Sequence, residues 1–525
     1  MTSIIQSTPG VYINEFNEFP NAVVPVPTAV PAFIGYTPVA TYNGNSYYNK
    51  AQRITSFADF QEIYMLKDPP TDPAKQYSPE YYLVPQKERP TTGDYLIINR
   101  QYYSILPDPT TIYYLYNSVR LFYQNGGRDA YIIAVGPYGH VDKRPLTDPS
   151  VQVVSPNVQL TDLQRGLALL QHEQEPTMYI CPEATLLSLA DNGILMQSML
   201  QQAVTMQTAV CVFDIIGGTN PDPINYTVDI QNFRDNIGDT GLNYGVCYYP
   251  FIGTTIMQSG DIDFTNLFGG DTTQLQPLLN SIFAPNPVAG KILDMIEKPP
   301  ATNPMSNRQL HVALLISSPL YAEIVNRVIN CANVIPASSA IAGLNTVNDN
   351  LNGVWSSLAS TGVVGVSNLP LCLSDSQQRN LNMEAPLGKS INAICSFPGQ
   401  GVRIWGARTL DGDSQDWRYV SVRRTMIYLE QSIKLAARAY VFQPNDVNTW
   451  AAVKSMISNF LTNIWEEGGL KGASAADAFQ VSIGLGSTMT AEDLLNGYMC
   501  ISVQVALVRP AEFIVITFQQ QQQAT

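Results

Sequence analysis

Gly388-Lys389-Ser390 has the residue types that close a phosphate-binding loop, an amine for the phosphates and a hydroxyl for their cation. The full pattern needs a glycine five residues before Gly388, and that position is Met383. Without it the backbone cannot fold its amides round a phosphate, so the triplet reads as a surface turn before the strand INAIC. Asp411, Asp413 and Asp416 resemble a calcium loop that lacks its closing glutamate, and they read instead as N-caps of a helix ahead of Trp417. The three histidines, His140, His172 and His311, form no HxH or HExxH spacing. His172 precedes Cys181 by nine residues, the one hint of a nucleophile pair, but a cysteine inside MYICPEA reads as core. Arg418, Arg423, Arg424, Lys434 and Arg438 gather on one segment, as a solvated or salt-bridged face or as an electrostatic contact between subunits. No catalytic residue, metal ligand or cofactor is therefore assigned.

A chain of 525 residues, 45% hydrophobic and 14% charged, can bury more than one core. Its low charge and its many Asn, Gln, Ser, Thr and Tyr residues suit an assembly component. A net charge of −14 argues against nucleic acid as a partner. Cys181, Cys211, Cys247, Cys331, Cys372, Cys395 and Cys500 form no CxxC pair and read as buried, reduced thiols. No signal peptide or bilayer-length apolar run is visible, so synthesis and assembly in the cytoplasm without membrane insertion are expected.

Val11, Tyr12, Ile13 and Phe16 read as a strand after Pro9-Gly10, with no local partner. Next comes NAVVPVPTAVPAFIGY, whose Pro25, Pro27 and Pro31 mark an extended tether rather than a central strand. RITSFADFQEIY predicts a strand and a helix capped by Ser56. Helix–strand alternation continues to about residue 387, interrupted by two irregular insertions at 65–110 and 217–310. Beyond it lie two strands around a turn and two amphipathic helices. The helical faces are Val422, Met426, Leu429, Ile433, Ala436 and Tyr440, then Trp450, Val453, Ile457, Phe460 and Ile464. Two alternating strands, AFQVSIG and MCISVQVALV, flank a short helical linker. Phe513, Ile514, Val515, Ile516 and Phe518 form a last strand, again without a partner. The fold class is α+β and α/β multidomain: an arm at 1–24, an α/β domain at 25–387, and an α+β domain at 388–525.

Several blocks in order resemble the contractile tail sheath family of phages and of phage-tail-like injection systems. They are PGVYINEF, VPTAVPAFIGYT, RITSFADF, FYQNGGRDAYIIAV, NYGVCYYPFI, VIPASSAIAGLNTVNDNLNGVW, GVRIWGARTL, WRYVSVRRTMIYLEQSI and VQVALVRPAEFIVITF. The stretch Ser356–Ser360 and the residues Ala337 and Ser339 depart from the family's pattern.

The resemblance implies a structural subunit of stacked hexameric rings around an inner tube protein, with baseplate and terminator or cap proteins as further partners. Contraction would drive the tube through a target envelope, and the chain would form part of a virion or injection particle. It implies that segments around Val11–Phe16 and Phe513–Phe518 are donated to neighbours. Their acceptor would be Phe479, Val481 and Ile483 with Ile501, Val503, Val505 and Leu507. Lys454, Asn463, Glu466 and Glu467 are the expected inner-tube contact, and the α/β part should face outward. Other structural subunits (tube, baseplate, surface layer) and, less so, a cysteine-dependent hydrolase are the alternatives.

Overall fold

The computed structural model describes residues 22–65, 79–282, 284–382 and 388–512. The chain divides into two compact units, one of residues 1–26 and 428–508, the other of 27–427 and 509–525.

The larger unit is built on an eight-stranded sheet. Its strands are β1 (Pro31–Gly35), β2 (Ala51–Ile54), β3 (Ala130–Ala134), β4 (Met178–Ile180), β5 (Val210–Asp214), β6 (Gly245–Tyr249), β7 (Asn392–Phe397) and β8 (Gly401–Trp405). The order is β8-β7-β6-β5-β4-β1-β3-β2. The six inner strands run parallel, while β2 and β8 close the edges antiparallel. Every residue of β1, β3, β4, β5 and β6 is buried, as expected of strands covered on both faces.

The tether expected at Pro31 is instead the start of a central strand. Pro31 occupies the first position, where a missing N–H costs no ladder bond, and Ala32–Gly35 pair with β3 on one side. Residues 81–107 likewise form a three-stranded antiparallel sheet rather than a loop, with Pro85 in the edge strand Tyr81–Gln86 where proline is tolerated. The second insertion contains the helices Tyr226–Asn236 and Pro287–Glu297. Its aspartates cap short turns, Asp263 accepting the N–H of Thr265 and Asp271 that of Thr273.

Helix α1 (Phe57–Tyr64) starts as expected at Ser56, with a reciprocal capping box to Asp59. Helix α2 (Leu115–Gln124) packs against α3 (Ser338–Asn352), whose Gly343 permits the approach: a methyl there would press on the Phe122 carbonyl. Tyr248 and Tyr249 of β6 pair with Asn392 and Ala393 of β7. Residues 388–427, placed with the second domain on sequence grounds, are therefore part of the α/β unit.

The smaller unit takes up the end of α4 (Val420–Ala437), then α5 (Val447–Glu466), β9 (Phe479–Ile483) and β10 (Ile501–Val505). Asp446 caps α5 by accepting the Thr449 N–H, and Val453, Met456, Ile457, Phe460, Leu461 and Ile464 form its buried face. Tyr428 meets Phe460 ring to ring at 6.1 Å.

Candidate assembly site

In a doubly wound sheet, ligands sit outside the carboxyl ends of the strands where the order reverses. Here that crevice lies beside β1, between β3 and β4, and the chain's own carboxylate fills it. Glu183, just past β4, is fully buried and accepts the N–H groups of Leu115 at 2.8 Å and Tyr114 at 3.2 Å, the N-terminus of α2. Burial pushes its pKa up to about 7 against those hydrogen bonds. Gly35 has no side chain where a methyl would strike this carboxylate.

Asp214 repeats the arrangement at the end of β5, accepting the Ala337 N–H at 2.8 Å and the Ser338 N–H at 3.1 Å, where α3 begins. Burial raises it to about 6. The N-termini of α2 and α3 are thus satisfied by the chain's own carboxylates. Sequence reasoning missed both acids; the signal was there, a carboxylate at the end of an apolar strand or within three residues of it.

The other chemical candidates are structural. Lys389 and Ser390 are buried, not in a surface turn: the Lys389 Nζ meets Asp239 Oδ1 and the Arg234 carbonyl, both at 2.9 Å. Asp411, Asp413 and Asp416 cap no helix, since α4 begins only at Val420; there the Trp417 N–H goes to Ser414 Oγ. Cys181 is buried, and burial pushes its thiol well up, the reverse of an activated nucleophile. His311 is buried between Tyr321 Oη at 2.9 Å and the Ser259 carbonyl at 3.2 Å. Cys372 and Cys500 are exposed rather than buried. Among the described residues no cluster of His, Cys, Asp or Glu could hold a metal, and no single helix is long and apolar enough to cross a membrane.

Nor do the basic residues make one face. Arg423 stacks on the rings of Tyr244 and Trp417, each at 4.4 Å. Arg424 is buried, paired with both oxygens of Asp349 at 2.5 and 3.0 Å and donating to Asn345 Oδ1 and the Thr28 carbonyl. Lys434 and Arg438 are exposed.

The strands β9 and β10 form a two-stranded antiparallel sheet of their own. Phe479 pairs with Val505, Val481 with Val503 and Ile483 with Ile501. The Ala506 N–H donates to the Ala478 carbonyl at 2.8 Å, which sets the alternation of the ladder. Gln480–Gln504 and Ser482–Ser502 are then the hydrogen-bonded pairs, and the intervening residues turn their amides outward. Val481 and Ile483 on one edge, and Ile501, Val503 and Val505 on the other, thus present backbone donors to which no further strand is added among the described residues. Of the six strand residues in these apolar pairs only Val481 is buried; the others are half-exposed, as is Leu507.

Six of the seven expected acceptor residues are thus brought into one small sheet, with Leu507 just beyond it. The expected donors Val11, Tyr12, Ile13, Phe16, Phe513, Ile514, Val515, Ile516 and Phe518 lie outside the described residues. Lys454, Asn463, Glu466 and Glu467 are all exposed, but they do not form one patch. At about 100° per residue, Asn463 lies roughly half a turn round α5 from Lys454.

Residues 412–521 match the family of the phage tail sheath C-terminal domain. A tail sheath protein of Vibrio phage KVP40 is 31% identical over 139 residues, 26% of this chain; the alignment spans about a fifth (20%) of that relative's length. Among solved structures, the anti-feeding prophage helical sheath in its contracted state aligns with 98% of this chain and 100% of its own, at 23% identity and a TM-score of 0.57. The PVC sheath complex of an extracellular contractile injection system, contracted, covers 99% of both chains at 22% identity and 0.55. A chain of the anti-feeding prophage baseplate covers 99% and 100% at 22% and 0.58. The mixed helix-and-sheet, multidomain fold is shared across essentially the whole chain.

Proposed function

We propose that the chain is a structural sheath subunit of a contractile tail or contractile injection system. One observation carries the reading beyond fold: inside the segment that matches the sheath C-terminal domain, β9–β10 has backbone donors on both edges that no further strand takes up among the described residues. A sheet edge of that kind is a template for another chain. The segments Val11–Phe16 and Phe513–Phe518 are β-branched and aromatic, suited to fill those edges in two neighbouring copies. At roughly 0.5–1.5 kcal/mol net per hydrogen bond, a donated strand of about five bonds contributes several kcal/mol, before its apolar side chains are counted.

Repeated over stacked hexameric rings, such links give a mesh that stays connected while subunits rotate and move outward. The sheath shortens around an inner tube, and the free energy comes from a bistable subunit packing of the rigid-body kind. Glu183 agrees with a structural role, because it occupies the crevice in which an α/β fold would bind a nucleotide, and Asp214 likewise holds the N-terminus of α3. Baseplate and terminator proteins are the partners at the two ends of the particle, and the tube contact belongs to the smaller unit. Sedimentation and negative-stain microscopy of the purified chain test this reading. Long hollow cylinders are expected; a stable monomer at high concentration would sink it.

A further inference from the structure

Glu512 is moored on the α/β unit, four residues after Val508, the last residue of the smaller unit. Arg408 Nη2 donates to its Oε2 at 2.7 Å, and Arg408 Nε to both oxygens at 3.0 and 3.1 Å. Asn382 Nδ2 adds a bond at 2.6 Å and the Tyr419 hydroxyl one at 3.3 Å. The Arg408 side chain is 3% exposed and that of Glu512 17%. Burial pushes the Glu512 carboxyl up, yet the Arg408 and Asn382 bonds outweigh it and hold it below the usual glutamate range.

Arg408 is itself fixed by β7, since its N–H donates to Asn392 Oδ1 and its carbonyl accepts from Asn392 Nδ2, both at 2.8 Å. A bidentate guanidinium–carboxylate pair with two further donors is a rigid, directional joint, and removing either partner strands the other as a buried charge.

We infer that the Arg408–Glu512 joint, with Asn382 and Tyr419, anchors residues 513–525 to the α/β unit and makes that unit the bearer of tension on the strand they donate. This rests on the strand-donation reading above. The mechanical reason is direct. A pull on 513–525 passed back along the chain to β10 would peel the β9–β10 ladder one bond at a time. A joint at Glu512 diverts the pull into the packed α/β sheet before it reaches Val505. Glu512 and Arg408 are then positioning residues for assembly.

Glutamyl endopeptidase tests the joint, because R408Q leaves Glu512 in place as a cleavage site. Release of the peptide 513–525 from folded, unassembled chain is followed by mass spectrometry. R408Q should release it at least tenfold faster than the unaltered chain. R424Q, which breaks a comparably buried pair of the same unit, should not. Equal release from the unaltered chain and R408Q, or equal acceleration in R424Q, overturns the anchor. Should R408Q fail to fold, N382A removes one donor and should give a smaller acceleration; none at all overturns it equally.

The tension-bearing role is read on cylinders, where R408Q should lower the urea midpoint of depolymerisation further than R424Q does, although R424Q also strands a buried charge in the same unit. A midpoint for R408Q identical to that of the unaltered chain or of R424Q overturns that role. If the unaltered chain forms no cylinders, strand donation fails and the tension-bearing role with it, while peptide release still decides the anchor.

Discussion

The Glu183 carboxylate accepts the Leu115 N–H at 2.8 Å, standing where an anionic ligand would meet the first turn of α2. This fixes the sign of a pH effect. Glu183 titrates at about 7 in the folded chain against an ordinary 4.5. Between those values the folded state holds the proton that the unfolded state gives up, so stability falls as pH rises through about 7. The folded state should therefore be less stable at pH 8 than at pH 5.5 by on the order of 2 kcal/mol from this group alone, read as a lower thermal unfolding midpoint at pH 8. Asp214 adds a smaller effect of the same sign. E183Q should flatten the profile. An unchanged slope in that variant would show that the Glu183 charge is not the source.

A second prediction concerns Asp349 and Arg424, with side chains 4% and 5% exposed and paired through two bonds. D349A leaves a buried guanidinium with only Asn345 and Thr28 to satisfy it. It should destabilise the α/β unit by about 3–5 kcal/mol, measured by urea unfolding. A loss below about 1 kcal/mol would mean that water reaches Arg424 once the carboxylate is gone.

The parts of this fold that were legible in the sequence are those whose signal is local. Ser56 with Asp59, the helical stripe from Val453 to Ile464, and the alternation of β9 and β10 each follow from residues a few positions apart. Pro31 misled because proline's cost depends on its place in a strand, and only tertiary pairing shows that it is the first residue of a central one. Glu183 on Leu115, and Arg408 on Glu512, join residues with no sequence spacing to announce them. The supposed patch on α5 failed on simple helical geometry, with Lys454 and Asn463 on opposite flanks.

Removal of the two proposed donor segments should act on assembly and leave folding alone. A chain lacking residues 1–16, or one lacking 513–525, should keep the circular dichroism and the unfolding midpoint of the complete chain, yet form no cylinders of normal length. Cylinders of ordinary length from either deletion would remove the strand-exchange account for that segment.

The outward amides of β10 allow a sharper test than deletion. Val503 pairs with Val481 across a position that exchanges no ladder bonds, so its N–H faces away from β9. Proline there deletes the outward donor and keeps the bonds of Gln480–Gln504 and Ser482–Ser502, which is why edge strands tolerate it. V503P should therefore fold, with a loss of about 1 kcal/mol from the restricted backbone and the altered half-buried side chain. An incoming strand would lose a main-chain bond at that site and meet the proline ring instead. The critical concentration for cylinder formation should rise at least tenfold, equivalent to about 1.4 kcal/mol per link. V503A, which trims the same side chain and keeps the amide, separates the two causes. If V503A raises the critical concentration as much as V503P does, side-chain packing rather than the open backbone edge governs assembly at β10.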